Sequence, residues 1–219
     1  MQPDPSPLVP LGAAQFPAQF RAQAGAATRG YAFVVLPGFT LLAFAAALDP
    51  LRIANQLAQA PLYHWQVLSA DGAAVTSSSG LEVSVNGALG PQPRGVTLLV
   101  CAGNRAEADQ GGAEAQAAAA AQRHFRHGGA VGGICTGAVA LARAGLLGGR
   151  AFTLHWENQP GFRESFPDLS PTPHRYEIDG RVLTCGGGAA ATDMMLAQIA
   201  TDHGRAFAAL VSEMCLRHV

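Results

Sequence analysis

Ala130-Val131-Gly132-Gly133-Ile134-Cys135-Thr136-Gly137-Ala138-Val139-Ala140-Leu141-Ala142-Arg143-Ala144 decides the fold of this chain, because it writes a short strand, a sharp turn and a helix around one thiol. The run up to Ile134 is apolar throughout and reads as a strand covered on both faces. The stretch 136–144 has helical composition and stops at Gly145. Between them stands Gly-x-Cys-x-Gly. Small residues on both sides of a nucleophile permit the strained strand-to-helix turn that lifts the side chain above the carboxyl edge of a sheet, beside free backbone N–H groups. At a helix N-terminus the macrodipole lowers a thiol pKa, so Cys135 is expected to be a stabilised thiolate. The plainer alternative is a small buried hydrophobe in a Gly- and Ala-rich run; the flanking glycines favour the elbow.

Outward from the elbow, strands and helices alternate. Residues 31–36 form a continuous apolar run of the kind found in a central parallel strand, followed by helical spacing over 40–59. A second strand is expected at 64–70, then a turn at Asp71-Gly72 and a hairpin over 75–85. Residues 96–101 make a third buried strand, closed by Ala102-Gly103-Asn104, and the Ala content of 114–127 predicts a helix. Beyond the elbow helix come a strand at 150–154, a hairpin about Asp179-Gly180, a helix at 192–203 stopped by Gly204, and a last helix from Arg205 towards Leu216. The expected fold is α/β, a three-layer, mostly parallel, flavodoxin-like sheet with helices on both faces and sites at the carboxyl ends of its strands. Gly103, Cys135 and His155 fall at such ends.

Composition narrows the function. A chain of 219 residues, 49% hydrophobic and 13% charged, buries a substantial single core. The net charge of −1 and the lack of a basic run argue against this chain holding nucleic acid by itself. The four cysteines are far apart without Cys-x-x-Cys pairing, which points to a reducing, cytoplasmic setting. No His/Cys/Asp/Glu cluster has metal-site spacing, and no cofactor is expected. Residues 1–29, rich in Pro, Ala and Gln and unlike a signal peptide, are expected to be a mobile tail ahead of one domain at 30–219. The apolar stretch 31–48 is cut by Pro37-Gly38 into strand and helix, so a soluble protein without membrane contact is expected.

Two further stretches carry chemistry. His155-Trp156-Glu157 follows Cys135 by twenty residues, so an imidazole and a carboxylate are placed to meet the thiol as base and orienter. Alternatively His155 satisfies local backbone while Trp156 packs. Cys185-Gly186-Gly187-Gly188 lacks the Lys-Ser/Thr ending of a phosphate loop and reads as a tight backbone turn.

These motifs carry a resemblance. The elbow Gly-Ile-Cys-Thr-Gly-Ala, the downstream Ala-Gly-Leu-Leu-Gly-Gly-Arg and Thr-Leu-His-Trp-Glu-Asn, and Leu-Thr-Cys-Gly-Gly-Gly with Ala-Ala-Thr-Asp-Met-Met-Leu resemble the ThiJ/PfpI superfamily, class I glutamine amidotransferase-like in fold. More narrowly, Asp49-Pro50-Leu51-Arg52-Ile53-Ala54-Asn55 and Ser77-Ser78-Ser79-Gly80-Leu81 resemble the amino-terminal domains of AraC-type transcriptional regulators of the GlxA group. The similarity covers about residues 30–217. The resemblance implies a sensor of small nitrogen-containing metabolites such as betaines, carnitine or amino acids, commonly a homodimer. It also implies that DNA is held by following helix-turn-helix units that this chain lacks.

Departures from the enzymatic branch favour sensing over catalysis. Ala43 stands where related enzymes place an acid on the first helix, and Thr136 where the peptidase branch places His. Asp49, further along the helix, is the remaining substitute acid. Under the sensor reading, Gly103, Asn104, Cys135, Thr136, His155, Trp156 and Glu157 line a small pocket with an aromatic wall; Phe39, Phe44 and Tyr176 are weaker candidates. Cys135, His155 and Glu157 are then vestiges of catalysis. The alternative is a Cys-dependent hydrolase, hydratase or glyoxalase-like enzyme using the same three; a third reading is a domain in which Cys135 oxidises readily.

Overall fold

The computed structural model describes residues 28–103 and 112–217. The expected mobile tail thus lies almost wholly outside the described residues, as does Asn104. Strand β1 (Arg29–Val35) begins within the last residue assigned to that tail, and is followed by helix α1 (Leu41–Ala58) and β2 (Tyr63–Ser69). A two-stranded antiparallel hairpin, β3 (Val75–Thr76) and β4 (Glu82–Val83), stands apart from the main sheet. Next come β5 (Gly87–Ala88), β6 (Val96–Cys101), α2 (Ala113–Arg126), β7 (Ala130–Ile134), α3 (Ala138–Arg143) and α4 (Gln159–Ser165). The chain closes with β8 (Tyr176–Asp179), β9 (Val182–Cys185), α5 (Ala190–His203) and α6 (Arg205–Met214).

Seven strands form one sheet in the order β5-β2-β1-β6-β7-β9-β8, parallel except for β8, which returns antiparallel to β9. The expected α/β architecture is therefore present. Alternation along β1 assigns its side chains to opposite layers. Tyr31, Phe33 and Val35 pack with Phe44 and Leu51 of α1, Met194 and Ile199 of α5 and Phe207 of α6. Val34 faces the other way, into a core shared with Ala117 and Ala121 of α2, Leu141 of α3 and Phe162 of α4. In register, Val35, Cys101, Ile134 and Cys185 form one row across four strands, so the elbow after Ile134 opens at the carboxyl edge. Among the described residues no helix is long and apolar enough to cross a membrane.

The strand expected at 150–154 is corrected. Its apolar alternation is real, with Phe152 and Leu154 buried, but the backbone does not join a ladder. Ala151 N–H donates to Asp179 Oδ2 at 2.9 Å and Thr153 N–H to Thr184 Oγ1 at 2.9 Å, side chains of the β8–β9 hairpin standing in for a neighbouring strand.

Candidate functional site

At the end of β7 the chain turns through a 3₁₀ segment, Cys135–Gly137, directly into α3. Cys135 has φ +60°, one of three non-glycine residues among those described in the left-handed region. An L-residue there costs about 1–2 kcal/mol, so the surroundings must hold it. They do so from three sides. Thr40 donates its hydroxyl to Cys135 Sγ at 3.6 Å, and Thr136 Oγ1 donates to the Gly103 carbonyl at 2.9 Å. Gly187, itself at φ +84°, lies so close that a Cβ there would sit 2.8 Å from Cys135 Cβ. The glycine run after Cys185 is thus a tight turn against the elbow.

The thiol is not the stabilised thiolate expected. Burial pushes the Cys135 pKa up from its ordinary value, and the Thr40 hydroxyl and the Thr136 N–H only partly oppose this. The Glu157 charge adds to the upward push. A three-residue 3₁₀ turn and the six residues of α3 offer a short dipole, which burial outweighs. At neutral pH Cys135 is therefore a neutral thiol, and the folded protein should show no thiolate absorbance near 240 nm. Cys101 and Cys185 are raised for the same reason, Cys185 to about 12. The folded state keeps these protons where the unfolded chain has lost them. Stability is then whole below the ordinary thiol range and falls as pH rises through it. A thermal midpoint that did not fall between neutral pH and pH 10 would refute this.

The other predicted residues divide. His155 Nδ1 lies 3.9 Å from Glu157 Oε2, beyond hydrogen-bond reach, and this buried nitrogen has no hydrogen-bond partner among the described residues. Thr40, not His155, is the side chain bonded to the thiol. Trp156 is 75% exposed and does not line the cleft described below. Phe39 and Phe44 stack edge-on in the core, and Tyr176 packs against it. Asp49 pairs with Arg52 at 2.6 Å on the surface, while Ala43 is buried without any acid in its place.

Gly103, Thr136 and Glu157 do meet, along a cleft of about 350 Å³ at the carboxyl edge. Its remaining walls were not signalled by any motif. Glu114 and Arg143 form an ion pair at 2.8 Å across one side. Phe162 and Phe166, one helical turn apart with ring centroids at 4.9 Å, form an aromatic side. Asn158 also lines it, and its buried Oδ1 has no hydrogen-bond partner among the described residues. The i, i+4 spacing of the two phenylalanines was the one signal available. Among the described residues no group of His, Cys, Asp or Glu is arranged to hold a metal.

Comparison with known proteins agrees with this geometry. Residues 32–201 match the DJ-1/PfpI family. The chain is 46% identical over 184 residues to the HTH-type transcriptional regulator CdhR of Pseudomonas aeruginosa, covering 83% of this chain and 53% of that protein. It is 42% identical over 184 residues to the HTH-type transcriptional regulator GlxA of Rhizobium meliloti, covering 84% and 56% respectively. It therefore spans about half the length of these relatives. A crystal structure of an AraC family transcriptional regulator from Pseudomonas putida superposes with TM-score 0.74 at 28% identity, covering 85% of this chain and 99% of that one.

Proposed function

The chain belongs to the DJ-1/PfpI family, and from that premise we propose that it is the small-molecule-sensing domain of an AraC-type transcriptional regulator. The observation that carries the reading is a neutral, buried Cys135 bonded to Thr40, with Ala43 in place of an acid. The nucleophile elbow is retained as structure, while the position on the first helix where related enzymes place an acid holds the buried Ala43. Similarity to two HTH-type regulators supports the same assignment.

The effector we propose is a small nitrogen-containing metabolite of betaine, carnitine or amino-acid type, held in the cleft rather than on the thiol. Phe162, Phe166 and the Glu157 carboxylate suit a cationic nitrogen. Arg143 suits a carboxylate at the opposite charge of the same ligand. In this reading the protein works as a cytoplasmic homodimer, and DNA is contacted by helix-turn-helix units outside residues 1–219. An effector changes the dimer only by binding its two arrangements unequally.

The test is the thermal midpoint of wild type and Cys135→Ala against betaines, carnitine, amino acids and polyamines, since ligand bound to the native state raises that midpoint. A compound that stabilises both proteins and stays chemically intact supports sensing. Consumption by wild type alone establishes the enzymatic alternative, which the strained Cys135 backbone favours. Glu157→Gln is expected to weaken a cationic effector about tenfold, equal to about 1.4 kcal/mol. Equal affinity in a calorimetric titration would remove Glu157 from the site.

A further inference from the structure

The carboxyl end of α6 is fastened twice. Leu216 adopts φ +52°, its N–H donates to the Glu213 carbonyl at 2.9 Å, and the Arg217 N–H donates to the Ser212 carbonyl at 3.0 Å. This pair of bonds ends a helix with a fixed exit direction. The Arg217 side chain then reaches Asp193 in the first turn of α5, Nε to Oδ1 at 2.5 Å and Nη2 to Oδ2 at 2.8 Å. Such a two-pronged pair fixes orientation as well as distance.

Asp193 holds a second arginine. Arg175 Nη2 lies 2.8 Å from Asp193 Oδ2. The Arg175 carbonyl accepts the Gly186 N–H at 2.9 Å, and the next residue, Gly187, is the one packed against Cys135. A continuous path of bonds and contacts thus runs from the elbow through the glycine turn, Arg175 and Asp193 to Arg217. Asp193, with its side chain 17% exposed, is the shielded centre of the path.

We propose that Arg175, Asp193 and Arg217 form an ionic clasp that couples the glycine turn over Cys135 to the carboxyl end of α6, so that the two open together. Its use as a signal path rests on the sensor reading above; the coupling itself does not. If the rest of a regulator follows α6, the clasp sets the direction in which it is attached, and an effector that moves the turn acts on that direction.

Alkylation by N-ethylmaleimide, followed cysteine by cysteine by mass spectrometry, tests the coupling without any effector. R217Q acts at the end of α6 and R175Q beside the turn. The cross effects are decisive: R217Q is expected to speed labelling of Cys135, and R175Q that of Cys215, each about fivefold. Cys101 and Cys185, both fully buried, should keep their wild-type rates. The clasp is overturned if each variant changes only the thiol nearest to it, if neither rate moves, or if all four cysteines accelerate alike, which marks global opening. R217K keeps the charge but loses the second prong, and should fall between wild type and R217Q with its circular dichroism unchanged. Because no effector is used, a failed clasp leaves the sensor reading standing, and a failed ligand panel leaves the clasp.

Discussion

Gly137→Ala is expected to cost at least about 3 kcal/mol and to lower the thermal midpoint by about 6–12 °C. A Cβ built on Gly137 would sit 2.0 Å from the Val100 carbonyl oxygen and 3.0 Å from its carbon. Neither side can retreat. Val100 lies in β6, paired on both edges by β1 and β7, while Ala138 and Leu141 at the start of α3 are fully buried. Interiors this dense transmit an added methyl as backbone displacement rather than absorbing it. Gly133 sits at the other side of the same elbow, where a Cβ would fall 2.5 Å from Ala138 N. Gly148→Ala is the control, since a Cβ there meets nothing within 4 Å. Thermal unfolding of the two variants side by side decides the matter: a Gly137→Ala midpoint as high as the Gly148→Ala midpoint would mean that the elbow does not need its small residues.

Asn55→Leu is expected to destabilise the protein by about 3 kcal/mol, although it replaces a polar side chain in the core by an apolar one. Asn55 is 7% exposed and closes a two-way bridge to the first residue of β2. Its Nδ2 donates to the Tyr63 carbonyl at 2.7 Å, and the Tyr63 N–H donates to its Oδ1 at 2.8 Å. Leucine would leave a buried donor and a buried acceptor of the backbone unpaired, the costlier half of any hydrogen-bond deletion. Urea unfolding gives the energy, and amide exchange at Tyr63 gives the mechanism. A Tyr63 amide as protected in the variant as in wild type would show that Asn55 is not its partner.

What the sequence made legible follows a physical division. Strands β1, β6 and β7 are short apolar runs because both faces of a central parallel strand are covered, and such runs announce themselves. The end of α5 was marked by Gly204. The segment 150–154 shows the limit, since alternating burial is the same whether backbone groups bond to a strand or to Asp179 and Thr184 side chains. Helix α4 was not among the expected elements, since Pro160 and Gly161 interrupt helical composition although proline is well placed in a first helical turn. The elbow was legible because its glycines are contiguous with the thiol. The protonation of that thiol was not, because burial is a property of the assembled core. Phe162 and its neighbour past the end of α4, Phe166, converge on the cleft with Arg143 of α3, and no spacing along the chain encodes that meeting.

The two outer strands of the sheet have a consequence for assembly. On one side β5 is two residues long, and on the other β8 is four residues long and reversed in direction. A strand edge recruits a second chain only when it presents a long row of unpaired N–H and C=O groups. Neither border offers such a row, so this protein is built to resist intermolecular strand addition and amyloid-like stacking. Copies of it that associate must do so through helix surfaces or loops, and crosslinks in an oligomer should map to α-helices rather than to Gly87–Ala88 or Tyr176–Asp179.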